Sequence, residues 1–218
     1  MRKIYGVTAR NEGQTEAVQA LVNPDVDLVV LEGVAGSGKT MLALAAGLHQ
    51  VLDLKRYTDI IFTRAPVGVG EDIGFLPGTE QEKMLPWCGA LTDNLEALHS
   101  GKEGGKFSKD SAEDVLKGKI KILAMLFMRG RSFHNRYVII DECQNLTEQQ
   151  IKVLVSRAGE NTKIVLLGDS KQIDNKKTKV DNNGLDYIVK NVYKEEFIKV
   201  VHLPCGERSR LATWVGGL

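Results

Sequence analysis

The run from Leu28 to Thr40, L-V-V-L-E-G-V-A-G-S-G-K-T, constrains the fold of this chain more than any other stretch. It joins an apolar segment of strand type to the phosphate-binding pattern G-x-x-x-x-G-K-[ST], and the helix-forming run Met41 to His49 follows. The order strand, glycine-rich loop, helix is the context that this pattern requires. We therefore predict an α/β fold built around a phosphate-binding loop.

The chemistry of a triphosphate explains the spacing of this loop. Several backbone N–H groups must turn toward the phosphates, and glycines permit the tight turns that this needs. Lys39 is predicted to reach the β- and γ-phosphates of ATP, and the Thr40 hydroxyl is predicted to bind Mg²⁺. The alternative is a glycine-rich turn that binds nothing. The predicted nucleotide-binding residues of the loop are Gly33, Val34, Ala35, Gly36, Ser37, Gly38, Lys39, Thr40 and Met41.

Length and composition suit one soluble domain. The chain has 218 residues, of which 43% are hydrophobic and 26% charged, so we predict a single domain over residues 1–218. The net charge of +1 does not by itself indicate a nucleic-acid or membrane partner. Cys88, Cys143 and Cys205 lie far apart without zinc-site spacing, which favours a reducing, cytoplasmic location. No apolar run approaches 18 residues, so we expect no membrane insertion.

Apolar strand patterns alternate with helical patterns along the chain. Such alternation favours a mostly parallel sheet with helices on both faces. The predicted strands are the run from Leu28, then Asp59 to Arg64, Lys119 to Met125, Tyr137 to Ile140, Lys163 to Leu167 and Phe197 to Leu203. The predicted helices are Gln14 to Val22, Met41 to His49, Gln81 to Leu98, Glu148 to Arg157 with Thr147 as its cap, Leu185 to Tyr193 and Arg208 to Val215.

Polar groups follow four of the predicted strands, and ligands of parallel sheets collect at the carboxyl ends of strands. Asp141 is predicted to hold Mg²⁺ through water, and Glu142 to deprotonate the attacking water. Gln172 is predicted to sense the γ-phosphate. The alternatives are an exposed helix start for the acidic pair and a polar turn for Gln172. Gln14 could hydrogen-bond an adenine edge, although its spacing alone leaves this open.

Four blocks carry a family resemblance: T-R-A-P-V-G-V-G-E-D-I-G-F-L-P-G (63–78), M-R-G-R-S-F (128–133), V-I-I-D-E-C-Q-N-L-T-E-Q-Q (138–150) and L-L-G-D-S-K-Q-I-D (166–174). Together they closely resemble PhoH-like ATPases, a family similar to a single motor core of the superfamily 1 helicases. The resemblance runs from about Gln14 to Arg210. It implies a three-layer RecA-like core with ATP and Mg²⁺, and the compact size also resembles phage-encoded members.

The resemblance also implies roles for matched residues. Gln14 resembles the adenine-reading glutamine, while Asp141, Glu142 and Gln172 resemble the magnesium, water-activating and γ-phosphate-sensing positions. Arg64 is similar to an arginine whose neighbourhood in helicases faces nucleic acid or phosphate. Arg208 is similar to the arginine of the family's final motif.

The sequence departs from the family pattern at several places. Ala65 separates Arg64 from Pro66, and Cys143 replaces a usual alanine. The C-terminal block matches less closely, which leaves Arg208 and Arg210 as alternatives for the final arginine.

Helicases complete their catalytic cleft with an arginine from a second motor domain, which a single domain would lack. We therefore expect a neighbouring subunit to supply it, which predicts a ring, most simply a hexamer as the resemblance suggests. Arg64, Arg129 and Arg131 are candidate nucleic-acid contacts, for RNA or single-stranded DNA. A slow nucleotide-gated interaction module is the alternative function. A small-molecule kinase is disfavoured, since an Asp-Glu pair with a glutamine sensor favours water as the acceptor.

Overall fold

A computed structural model of the protein describes residues 3–65, 89–100, 118–128, 130–175, 178–180, 182–192, 195–204 and 206. Several predictions fall outside these residues. They are the long loop after Ala65, the first part of the helix predicted from Gln81, Arg129, and the terminal helix with Arg208 and Arg210.

A six-stranded parallel sheet forms the centre of the molecule. Its strands are β3 Leu28–Gly33, β4 Asp59–Arg64, β5 Ile120–Ile122, β6 Arg136–Asp141, β7 Lys163–Gly168 and β8 Ile198–Leu203; a separate antiparallel hairpin consists of β1 Lys3–Ile4 and β2 Val7–Thr8. The spatial order in the sheet is β5-β4-β6-β7-β3-β8, and all adjacent strands run in the same direction, as the alternation of strands and helices predicted.

The central strands are apolar on both sides because both faces of the sheet are covered. Every residue of β7 is buried, and five of the six residues of β6 are. One apolar cluster includes the helices Glu12–Val22 and Lys39–Leu48 and one face of the sheet, and a second includes the helices Glu148–Val155 and Gly184–Asn191 and the other face. This arrangement confirms the predicted three-layer, RecA-like α/β core. The helices are α1 Glu12–Val22, α2 Lys39–Leu48, α3 Gly89–Ser100, α4 Glu148–Val155 and α5 Gly184–Asn191.

Local capping explains where two helices begin. Asn11 caps α1 by accepting a hydrogen bond from Gln14 N, so this helix starts two residues before the predicted Gln14. Thr147 and Gln150 form a reciprocal capping box at α4, which confirms the predicted cap. Beyond α2, the helix continues as a π-helical segment, His49–Asp53, that the sequence pattern did not indicate.

The predicted strand Lys119 to Met125 is too long. β5 pairs only with β4 and only over Ile120 to Ile122, and the last link is Leu123 N donating to Phe62 O. The chain then turns into a 3-10 helix, Met125–Met128. Because β5 lies at the side of the sheet, no second neighbour among the described strands prolongs its pairing.

None of the helices in the part of the chain that the structure describes combines the length and apolar character needed to cross a bilayer.

Candidate nucleotide site

Four parallel strands bring their carboxyl ends to the same side of the molecule, which we call the carboxyl end of the sheet. The phosphate-loop pattern follows β3, Arg64 ends β4, Asp141 ends β6, and Asp169 follows β7. β7 lies between β3 and β6, so the axes of those two strands are about 10 Å apart. Arg64 and Asp141 are directly opposite each other in the register of β4 and β6. The fold therefore gathers residues that are far apart in sequence.

The loop between β3 and α2 requires glycine at specific points. Gly36 and Gly38 have φ values of 79° and 90°, in the left-handed region that disfavours side chains. At Gly33, an added Cβ would clash with the backbone of Leu203. The pattern of glycines is therefore explained by backbone geometry.

The start of α2 suits an anion. Gly38 occupies the N-cap and has no side chain to bond the first-turn N–H groups, and that turn contains no acidic residue. Lys39 Nζ folds back over the loop, donating to Gly33 O at 2.6 Å and to Val34 O at 3.1 Å. The Ser37 hydroxyl is buried and has no hydrogen-bond partner among the residues that the structure describes. A helix N-terminus, an ammonium group and an orphaned hydroxyl in one loop fit the phosphates of a nucleotide.

Gln14 is buried and joins the N-terminal segment to this loop. Its Oε1 accepts from Arg10 N at 2.8 Å, and its Nε2 donates to Ser37 O at 3.1 Å. Contacts with the described residues leave one amide hydrogen and one oxygen lone pair for a ligand, because each end of the amide has a capacity of two. The role in reading adenine stays a prediction.

A cavity of about 610 Å³ lies beside Gln14. Its walls come from the hairpin (Val7, Thr8), the loop (Gly38), α2 (Met41) and α3 (Asn94). Its volume falls in the usual range for small-molecule sites, and it opens next to the phosphate loop. The sequence pattern gave no signal for the contribution of the hairpin and α3.

Asp141 is only 6% exposed, and its Oδ1 accepts from the backbone N of Glu142 at 3.0 Å. Burial, followed by the charge of Glu142, raises the pKa of Asp141 to about 6, while Arg64 and Lys39 oppose this shift. A nearby divalent cation would stabilise the charged form of this carboxyl further.

Glu142 is held in a constrained position just after β6. Its φ of 57° lies in the left-handed region, which costs a non-glycine residue about 1 kcal/mol or more. Its Oε1 accepts from Arg64 Nη2 at 2.9 Å, and its Oε2 accepts from Gln144 Nε2 at 2.6 Å. Strained backbone at a carboxylate that is oriented on both oxygens is typical of a functional position.

Gln144 is a site residue that sequence reasoning missed. Its side chain is fully buried and joins the ends of β6 and β7. Besides its bond to Glu142, Nε2 donates to Gln172 O at 2.9 Å, and Oε1 accepts from Asp169 N at 3.1 Å. Gly168 leaves room for this amide, since an added Cβ would lie 2.7 Å from Gln144 Oε1. The available signal was the polar Q-N pair immediately after D-E-C, in a stretch with no apolar periodicity.

The remaining predicted residues have mixed placements. Gln172 is exposed, and its backbone oxygen bonds to Gln144. Arg131 is exposed and follows a turn at Gly130 (φ 74°). Arg64 lies against Glu142, and its predicted contact with nucleic acid stays a prediction.

Thr40 and Asp141 are the residues predicted to hold Mg²⁺. The described residues contain no group of three or more His, Cys, Asp or Glu that could form an all-protein metal cage. Mg²⁺ typically keeps several waters and binds through one or two side chains plus substrate phosphates. A half-buried hydroxyl at the start of α2 and a buried carboxylate at the end of β6 fit that donor set.

This chain resembles known proteins in sequence and in structure. The family model described as PhoH-like protein matches residues 6–215. Protein PhoH2 of Bacillus subtilis is 44% identical over 209 residues, covering 96% of this chain and 47% of the relative. Protein PhoH2 of Mycolicibacterium smegmatis is 34% identical over 216 residues, covering 98% of this chain and 47% of the relative.

Among solved structures, a Pif1 helicase from Bacteroides in complex with ADP-AlF3 and single-stranded DNA is 17% identical to this chain, with a TM-score of 0.43. The match covers 96% of this chain and 45% of the helicase chain. The chain spans about half the length of the curated relatives it matches. On the family match over most of its residues, this chain belongs to the PhoH-like protein family.

Proposed function

We propose that this protein binds ATP with Mg²⁺ and hydrolyses it at the carboxyl end of the sheet. The observation that carries the proposal is the convergence of the Lys39 loop and the Asp141-Glu142 pair on that end, with Glu142 oriented by Arg64 and Gln144. Neither half of this arrangement would be sufficient alone, because a phosphate loop binds without activating water and a carboxylate activates water without holding a triphosphate.

Each residue has a role that follows from its position. The N–H groups at the start of α2 and the Lys39 ammonium bind the phosphates, and Lys39 exchanges its contacts with the loop carbonyls for phosphate oxygens. Thr40 and Asp141 hold Mg²⁺, which when bound neutralises phosphate charge and favours in-line attack. Glu142 accepts the proton of the attacking water.

The neighbouring groups keep Glu142 and the sensor region in register. Gln144 fixes Glu142 Oε2 relative to the backbone of Gln172, so movement of the loop after β7 would be transmitted to the carboxylate. The cavity beside Gln14 receives the base and ribose. Gln172 would then sense the γ-phosphate, and the side-chain amide of Gln144 would transmit its movement to Glu142.

Paired variants test hydrolysis. Lys39→Ala should abolish nucleotide binding or turnover, whereas Glu142→Gln should retain binding of a fluorescent ATP analogue and lose turnover. Measurement of phosphate release and analogue affinity on the same preparations separates the two effects. Turnover by Glu142→Gln at the parent rate would show that another group activates the water.

We further propose that hydrolysis is coupled to RNA or single-stranded DNA, and that the protein works as a ring, most simply a hexamer. The support is the family membership and the position of Arg64 at the site, together with the rate that an arginine from a second subunit typically adds, about 10³ to 10⁵. Mass in solution with and without ATP and Mg²⁺ tests the ring. A monomer that hydrolyses ATP at full rate would contradict it.

A slow nucleotide-gated interaction module is the second candidate, since the strain at Glu142 and its two protein partners would also suit a site that holds nucleotide without rapid turnover. Addition of single-stranded oligonucleotides to the ATPase assay separates the two functions. Stimulated turnover supports the motor, and flat turnover with a nucleotide-dependent change in assembly supports the module.

A further inference from the structure

Both carboxylate oxygens of Glu142 accept a hydrogen bond from a protein donor, one from Arg64 and one from Gln144. These donors occupy one lone pair on each oxygen and fix the orientation of the carboxylate, so a water molecule that Glu142 is to deprotonate must bind in the direction that they leave open. The geometry of the described site is that of a base restrained in one orientation.

The two donors differ in how readily they can leave. Gln144 is fully buried and makes two further hydrogen bonds, to Gln172 O and from Asp169 N, so its departure would break a network inside the core. The side chain of Arg64 is 28% exposed and ends a strand at the side of the sheet where phosphates are expected. Arg64 is therefore the exchangeable partner.

A guanidinium binds a phosphate at least as well as it binds a carboxylate. Its planar fork binds both anions through two parallel N–H groups, and a partly exposed ion pair holds its partners only weakly. A phosphate oxyanion arriving at the carboxyl end of the sheet would therefore compete directly with Glu142 for Arg64. Such a phosphate could come from a nucleic-acid backbone or from ATP itself.

We propose that Arg64 is a gate on hydrolysis: it restrains Glu142 in the absence of a nucleic-acid strand, and a backbone phosphate of the strand draws it away and frees the carboxylate for water. The inference rests on the proposed ATPase function and adds its regulation. Arg64 acts through Glu142 and is thus a positioning residue, and coupling arises because one guanidinium has two competing anionic partners.

Arg64→Gln tests the gate, with a single-stranded oligothymidylate and an oligouridylate of about 20 nucleotides as probes. In ATP and Mg²⁺ alone, kcat should rise about three- to fivefold with KM for ATP unchanged, the scale of releasing one partly exposed ion pair. For the variant, the rate with either oligonucleotide divided by the rate without it should be close to one, because the restraint on Glu142 is already absent. A purely structural role would lower kcat instead.

The ATP-only arm distinguishes the two sources of phosphate. If the phosphates of ATP already displaced Arg64, the variant and the parent protein would have equal rates in ATP alone, and the gate by a strand would be overturned. A higher rate in the variant, together with lost stimulation, assigns the competing phosphate to the strand.

Arg136→Gln is the matched control. Arg136 Nε lies 2.9 Å from Asp59 Oδ1 and its side chain is 27% exposed, so the pair resembles Arg64 and Glu142, but it lies at the opposite end of the sheet. Its rate in ATP alone and its stimulation should match the parent protein. Circular dichroism monitors folding, and Arg64→Lys, which keeps the charge but loses the fork, should show a smaller rise of about twofold if Arg64→Gln does not fold.

Lys39→Ala, assayed in parallel, separates the failure of this inference from the failure of the proposed function. If the turnover of the parent protein does not depend on Lys39, the ATPase assignment is overturned, and the gate with it. Lys39-dependent turnover with Arg64→Gln at or below the parent rate in ATP alone would overturn only the gate.

Discussion

The two ends of the sheet carry ion pairs of nearly identical geometry but different surroundings. At the carboxyl end Arg64 meets Glu142, and at the amino end Arg136 meets Asp59, both at 2.9 Å. Glu142 is 29% exposed and Asp59 only 4%, and Asp59 also binds Lys121 at 2.7 Å. A buried carboxylate held by two cations suits a structural role, whereas a partly exposed carboxylate on a strained backbone suits the exchange of partners that we propose for Glu142. The comparison teaches that burial decides which role an arginine–carboxylate pair suits.

The largest expected effect lies at the carboxyl end. Glu142→Gln removes the proposed base, so kcat should fall by about 10² to 10⁴, while the free energy of unfolding changes by less than about 1 kcal/mol because the side chain is partly exposed. Phosphate-release assays and urea denaturation measure the two quantities. If the free energy of unfolding fell by as much as the activation free energy rose, Glu142 would have a structural role as Asp59 does, and the two ends of the sheet would not differ in function.

A second effect at the carboxyl end concerns Asp141, whose ionised carboxyl lowers the free energy of unfolding. The pKa of Asp141 rises to about 6 on folding from its ordinary value of 3.8, so between these pH values the folded protein holds a proton that the unfolded chain has released. Stability due to this group is therefore lost as the pH rises from about 4 to 6. Above pH 6 the charged carboxyl destabilises the nucleotide-free protein by about 3 kcal/mol.

Asp141→Asn should accordingly raise the midpoint of thermal unfolding at pH 7 and lose Mg²⁺-dependent turnover. The difference in the free energy of unfolding between variant and parent should shrink as the pH falls from 6 to 4, because the side chain at position 141 is then neutral in both folded proteins. A difference that does not change with pH would assign the stabilisation to packing rather than to the buried charge.

At the amino end, Asp59→Ala should cost about 2 to 3 kcal/mol in the free energy of unfolding, because Arg136 and Lys121 both lose their anionic partner next to a buried position. The rate in ATP at temperatures well below unfolding should stay near that of the parent protein. Denaturant titration and a low-temperature ATPase assay check this. A loss of turnover without a loss of stability would place this pair among the functional groups.

The smallest predicted effect is in the cap of α4, remote from both ion pairs. Thr147→Ala removes the hydroxyl that accepts from Gln150 N, and it should cost about 1 kcal/mol of stability with no change in kcat. This variant calibrates what an ordinary local loss looks like. If it altered turnover as much as Arg64→Gln, remote packing would explain both results.

Much of the fold could be predicted from local patterns. The bounds of β4, Asp59–Arg64, match the prediction at both ends, because a run of buried apolar residues has few alternatives to a central strand. β5 was predicted too long, since its last residues lack a strand partner on the open side of the sheet. The hairpin Lys3–Ile4 and Val7–Thr8 was missed, because two-residue strands carry no periodic signal.

The candidate site divides in the same way. Lys39, Thr40 and the Asp141-Glu142 pair were predicted from motifs, because phosphate binding and water activation dictate both residue type and spacing, and their roles stay predictions. Gln144 was missed, since its importance comes from bonds to Gln172 and Asp169, more than 20 residues further along the chain. The pairing of Arg64 with Glu142, 78 residues apart, was likewise invisible in the motifs.

The sequence by itself determined that this chain would form a parallel α/β core with a phosphate loop, because glycine placement and apolar periodicity are local and act before distant residues meet. Only the tertiary structure decided which side chain holds which. The register of β4 against β6 sets Arg64 opposite Asp141 and beside Glu142, and a missing Cβ at Gly168 admits the amide of Gln144. Those contacts depend on ångström-scale packing across strands, and no single stretch of sequence encodes it.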